Sequence, residues 1–338
     1  MAPHALIRLA RRGVILGLSL LAIALAIFAL LSLAPGDPLA QMPLTLPPEV
    51  RASMRAAMGL DAPWPTRLAL WLWQVLVIEP MVLADALLGT TWAEAQPRLI
   101  SWHSRTPVME LIADRLPQTL RIMGLAYGLG LACALPLGLW QAHIHHSKTD
   151  SAATILTMIA YALPPFVTGL LLIWLFSITL GWLPSGYDAT HRITGWASLW
   201  AEARQLILPV TVLTLQITAQ LTRHLRASAI EVLGADHIRT ARAKGLGPRA
   251  LLMGHVMGHA MIPVITLMAL GLPQLFGGAI ITEQIFAING IGHLLISSIH
   301  AGDLPVVQTI TLLIAVMVVC ANLMADAAYR WLDPRLAA

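Results

Sequence analysis

Residues 14–33, VILGLSLLAIALAIFALLSL, run for a full helical span without one charged side chain. A helix needs about 20 mostly apolar residues to cross the hydrocarbon core of a bilayer. The run is too long for an ordinary signal-peptide core and follows Arg8, Arg11 and Arg12, so it is expected to stay as a membrane helix. The whole chain agrees with that reading. Of its 338 residues 57% are hydrophobic and 11% charged, against about 25% charged in a soluble domain. With so little charge, lipid must be the solvent for much of the surface.

Five more spans are expected, at about 117–142, 152–180, 206–225, 260–281 and 304–325, so the fold class is an all-α integral membrane protein of about six helices. Arg121 lies close enough to one span end to snorkel. The third span is long enough to tilt or to kink at Pro164-Pro165. No repeat or low-complexity linker divides the chain, so residues 1–338 are read as one membrane domain. Orientation follows the basic residues. A cytoplasmic N-terminus puts Arg8, Arg11, Arg12, Lys148, Arg223, Arg226, Arg239, Arg242, Lys244, Arg249, Arg330 and Arg335 inside. The short outer loops then hold only Arg192 and Arg204, and both termini are cytoplasmic. The long segment 34–116 falls outside. It carries Trp64, Trp71, Trp73, Trp92 and Trp102, and an apolar stretch from Leu68 to Leu88 interrupted by Glu79-Pro80 and Asp85. Those interruptions argue against a seventh span and for interfacial helices with tryptophans at headgroup level.

The connection between the fourth and fifth spans, about 227–258, is long for a simple link. Gly234 should break one helix, and a second short helix should run from Ala235 to Lys244. Asp236 near its start and Arg239, Arg242 and Lys244 toward its end suit the helix dipole. Gly245 is expected as a left-handed cap and Pro248 as the first residue of the next helix. Ala241 and Ala243 would let a partner surface come close. The bland alternative is a basic loop lying on the headgroups, and the physics of the residues leaves the two open.

Asp236-His237-Ile238-Arg239-Thr240-Ala241-Arg242-Ala243-Lys244-Gly245-Leu246, followed by His259-Ala260-Met261-Ile262-Pro263, resembles binding-protein-dependent ABC importer permeases of the dipeptide, oligopeptide and nickel class. Further matches stand in the family's order: Ala34-Pro35-Gly36-Asp37-Pro38, Arg115-Leu116-Pro117-Gln118-Thr119, Leu208-Pro209-Val210, Asn289-Gly290-Ile291-Gly292 and Asp333-Pro334-Arg335. The resemblance implies that residues 236–245 dock on an ATPase subunit, Gly245 being the glycine of the family's coupling loop. It implies a second permease subunit as a heterodimer, two ATPase subunits that carry the ATP and magnesium, and a periplasmic or lipid-anchored solute-binding protein. The chain itself is then a multi-pass transport subunit of the bacterial inner membrane, without enzyme activity or a cofactor of its own, forming half of the path for di- or oligopeptides. A nickel or metal-chelate importer of the same class is the nearest alternative. Segment 71–107 is where the likeness is weakest.

What the sequence lacks supports the division of labour. Neither of its two lysines, Lys148 and Lys244, sits in a glycine-rich phosphate cradle. The spans contain no paired acids of the kind that relay protons, which argues against the other class considered, an ATP-independent secondary transporter. His255 and His259, and His143, His145 and His146, are expected at the interface and not on a metal. Cys133 and Cys320 read as small residues in apolar runs. No clustered aromatic and basic surface points to nucleic acid. Gln216, Gln220 and Gln274 are the polar groups expected on the translocation path. Pro209, Pro263 and Pro273, with Gly271, Gly277 and Gly278, are candidates for irregular backbone beside it.

Overall fold

The computed structural model describes residues 3–33 and 47–332. They form thirteen α-helices and, among the described residues, no β-strand. In chain order these are α1 Pro3–Leu33, α2 Pro48–Ala57, α3 Trp64–Trp73, α4 Glu79–Leu88, α5 Val108–His143, α6 Lys148–Ala162 and α7 Pro165–Leu172. Then come α8 Trp196–Leu233, α9 Asp236–Ala243, α10 Pro248–Leu251, α11 Met257–Ile285, α12 Ile291–His300 and α13 Leu304–Leu332. The chain divides into two compact units, Met1–Leu116 with Leu294–Val319, and Pro117–His293 with Cys320–Ala338.

The second unit is built on α5 and α8. Gly130 lies against Ile217, where an added Cβ would come within 2.6 Å of its Cγ2, and Gly138 lies against Leu225. Thr214 and Thr218 donate their hydroxyls to the carbonyls of Ala126 and Gly130 at 3.4 and 3.3 Å. Small residues and interhelical hydroxyl contacts are how helices approach closely when the solvent is lipid. These pairs advance in the same direction along both helices, so α5 and α8 run parallel. Arg121, on α5, reaches Glu202, near the start of α8, at 2.6 Å.

What lies between two parallel spans must cross back. Lys148–Ala162 and Pro165–Thr179 are bent by 101° at their junction. The bend is sharper than a kink, and its cause is local. Each residue before a proline is pushed to extended backbone, and Leu163 and Pro164 adopt it, with ψ of 122° and 145°. The freed carbonyl of Leu163 accepts from Gln216 Nε2 at 3.1 Å. The ends of the pair identify it as a broken span. Asp150 is held by Arg226 through bonds of 2.8 and 2.6 Å near the end of α8. Tyr187 is held by Glu202 at 2.7 Å near its start. These anchors are 24 residues apart on α8 (226 less 202), about 36 Å at 1.5 Å per residue.

In the first unit the expectation of separate interfacial helices fails. Trp64–Leu88 is one helical stretch of 25 residues, long and apolar enough to cross a membrane. Pro80 does not break it, because a wide π-helical turn, Gln74–Ile78, precedes the proline and absorbs the missing N–H and the ring. Glu79 is buried against Arg98 at 3.1 Å, and Arg98 also pairs with Glu110. Burial is the largest influence on the Arg98 guanidinium and lowers its pKa, but the bonds and charges of the two glutamates together hold it above its ordinary value. The stretch from Thr90 to Pro107 contains no helix and runs back beside this one, with Gln74 Nε2 donating to the Pro97 carbonyl at 3.3 Å.

Candidate functional site

The connection from α8 to α11 folds as its residues direct. Helix α8 ends at Leu233 with Gly234 as its cap. Helix α9 follows, Asp236–Ala243, capped at its far end by Gly245 with φ of +85°. The Gly245 N–H reaches the Arg242 carbonyl at 2.9 Å and the Leu246 N–H reaches that of Ala241 at 3.4 Å. That pair of bonds closes a helix through a left-handed residue, a conformation in which a side chain would be strained. Pro248 opens α10 as expected, and a π-helical turn, Leu252–Val256, leads into α11.

Two apolar side chains pin α9. Ile238 is 0% exposed and Ala241 7%, within the apolar cluster that holds Leu225, Ala229, Leu251 and Val256. The expectation for Ala241 is thereby corrected: it faces inward, and only Ala243 of the two alanines is open to a partner. Asp236, His237, Arg239, Thr240, Arg242, Lys244 and Gly245 are exposed. Arg239 and Asp236 lie 3.6 Å apart, an exposed pair of the sort that adds little stability. The His237 and His259 rings are 5.0 Å apart and bring α9 beside α11. No group of three or more potential metal ligands occurs among the described residues. Arg223 and Arg226 lie in the last turns of α8: one lies 4.6 Å from the Tyr161 ring centre and the other holds Asp150.

The three glutamines fare differently. Gln216 is occupied in closing the break after α6. Gln220 is half-buried on α8, and the Gln274 side chain lies outside the described residues. Pro209, Pro263, Pro273, Gly271, Gly277 and Gly278 all sit within continuous helix. The irregular backbone occurs instead at Leu163-Pro164 and in the π-helical turns.

A buried carboxylate that sequence reasoning passed over organises the end of α11. Glu283 is 1% exposed. It accepts from the Thr119 hydroxyl at 2.6 Å and from the N–H groups of Gly292 and His293 at 2.7 and 3.1 Å. Thr119 in turn accepts from the Ile291 N–H at 2.9 Å. A carboxylate at a helix N-terminus meets unpaired donors and the positive end of the dipole, here those of α12. A Cβ on Gly290 would collide with the Glu283 carboxylate, and one on Gly292 with that carboxylate and the backbone of Ile280. Two of the quoted motifs, 115–119 and 289–292, thus meet on one side chain. The signal available was a lone glutamate at the end of an apolar run, seven residues before a Gly-x-Gly. The motifs at 34–38 and 333–335 lie outside the described residues.

Helices long and apolar enough to cross a membrane, with a short basic helix exposed on the connection between two of them, define an integral membrane protein. The family of binding-protein-dependent transport system inner membrane components matches residues 134–338, and its N-terminal companion matches residues 6–123. The chain belongs to that family and is a multi-pass permease of the bacterial inner membrane. The oligopeptide transport system permease protein AppB of Bacillus subtilis is 36% identical over 321 residues, covering 94% of this chain and 95% of its own. A solved methionine ABC transporter, MetNI, in an inward-facing conformation shares the fold, with a TM-score of 0.54 at 17% identity. That match covers 67% of this chain and 97% of the transporter chain. Permeases of this family work, in general, with another permease, ATPases and a binding protein.

Proposed function

We propose that this chain is half of the translocation path of an ATP-driven importer of di- or oligopeptides, with both termini in the cytoplasm. The relative that covers 95% of its length and serves oligopeptide transport is the observation that carries the substrate class. The parallel run of α5 and α8, with a broken span returning between them, supports the orientation, because it puts the basic α9 on the side to which the arginine bias points.

Helix α9 and its cap, residues 236–245, are the docking element for a separate ATPase, which supplies the ATP and magnesium. Its two buried residues tie it to the core of α8 and α11, so displacement of α9 moves those spans with it and rocks the bundle between outward- and inward-open states. Gln220 and Gln274 remain the polar groups proposed for the path. Reversing charge on the exposed face, Arg239→Glu with Arg242→Glu, tests the assignment without entering the core. ATPase subunits should no longer copurify, and ATP-driven peptide uptake in proteoliposomes should fall at least tenfold while the chain still inserts and melts normally. Uptake that persists in full with the ATPases still attached would show that this face does not dock them.

A further inference from the structure

The first unit contains a cavity of about 240 Å³ with Phe28, Arg67, Trp71, Gln74, Trp102 and Gln308 in its wall. Phe28 stands near the end of α1, Arg67 and Trp71 in the first third of the helical stretch Trp64–Leu88, and Gln308 in the second turn of α13. These are helix ends at one level, where aromatic side chains mark the boundary between headgroups and acyl chains.

The polar lining is rich in donors. The Arg67 guanidinium lies over the Phe28 ring, 5.9 Å from its centre. The Gln308 side chain is buried. The indole Nε1 of Trp71, in a residue 3% exposed, has no hydrogen-bond partner among the described residues. An indole N–H can only donate, and leaving it unpaired in a buried site is costly. A bound acceptor beside a guanidinium removes that cost.

We propose that this cavity binds the headgroup of an anionic phospholipid, its phosphate oxygens accepting from Trp71 Nε1 and pairing with Arg67. The volume lies below the roughly 300–1,000 Å³ that encloses a drug-sized molecule, so it takes a headgroup and leaves the chains outside. Leu70, Trp73 and Leu76 on the same helix are 54%, 56% and 60% exposed and offer the acyl chains an apolar surface.

The test uses the intact transporter, purified in non-ionic detergent and titrated with phosphatidylglycerol or with phosphatidylcholine of the same chains, bound lipid being counted by native mass spectrometry. Wild type should retain phosphatidylglycerol preferentially. Arg67→Gln and Trp71→Phe should each weaken that retention about tenfold, the scale of one hydrogen bond to a charged group, and leave phosphatidylcholine unchanged. Trp71→Phe keeps the ring and removes only the donor, so it decides the matter if Arg67→Gln misassembles. Arg192→Gln, on another loop, should have no effect. Equal retention by wild type and Trp71→Phe overturns the proposal. So does equal loss of both lipids, which marks an apolar hole, or displacement of the lipid by millimolar inorganic phosphate, which marks a site for a free anion.

Discussion

Each unit of this permease buries one carboxylate that gathers a hydroxyl and two backbone N–H groups. In the second unit Glu283 takes the Thr119 hydroxyl and the N–H groups of Gly292 and His293. In the first, Asp303, 2% exposed, takes the Ser101 hydroxyl and the N–H groups of Trp102 and His103. The chemistry is the same and the clients differ. Glu283 secures the first turn of a helix and ties it to α5. Asp303 secures an irregular loop, residues 101–103, about 200 positions back along the chain. A helix terminus within a core opens only with its surroundings, whereas a loop opens by itself. One carboxylate therefore governs the stability of a unit and the other the order of a segment.

That distinction gives graded expectations. Glu283→Ala should cost about 3 kcal/mol or more, because it leaves a hydroxyl and two backbone donors buried without an acceptor. The loss should appear in the thermal midpoint of the purified protein. Asp303→Ala should cost about 2 kcal/mol, read as faster proteolysis within residues 99–107 with the midpoint little changed. An equal fall in midpoint for both variants would erase the difference between helix and loop. Thr119→Val keeps the carboxylate but removes one donor to it and the acceptor of the Ile291 N–H, for about 1–2 kcal/mol, and should sharpen the comparison by showing how much of the Glu283 effect passes through Thr119.

The smallest effect is one of pH. Burial, and then the bond to Glu202, push the Tyr187 phenol up to about 12, against about 10 in an unfolded chain. Its folded pKa is raised, so its contribution is complete below pH 10 and fades as pH climbs from about 10 toward 12. Subtracting the tyrosinate absorbance of Tyr187→Phe from that of wild type should isolate a phenol that ionises within that window. Ionisation near pH 10 would mean that the phenol is neither buried nor bonded to Glu202.

The elements that were legible in advance were the locally encoded ones. Gly234, Gly245 and Pro248 carry their backbone preferences with them, so the boundaries of α9 could be read off directly. Residues 14–33 announce a span by length alone. What escaped was whatever depends on a distant partner. Pro80 reads as a helix breaker until a π-helical turn is seen in front of it, and Glu79 reads as a surface acid until Arg98 is placed beside it. Ala241 and Ala243 look alike in one dimension, and only the packing of α9 tells inner from outer. Glu283 stood two residues past the boundary drawn for a span, and nothing local advertised that Thr119 would meet it.

Helix α9 has eight residues, of which two face the core. Folding therefore constrains only a quarter of its positions, and the other six can change without disturbing the bundle. Such a separation lets the outer surface of the helix be retuned one substitution at a time, with the packing beneath it left as it was. Selection on the two faces of this helix should accordingly run at different rates: slow at Ile238 and Ala241 through stability, and faster at the exposed remainder.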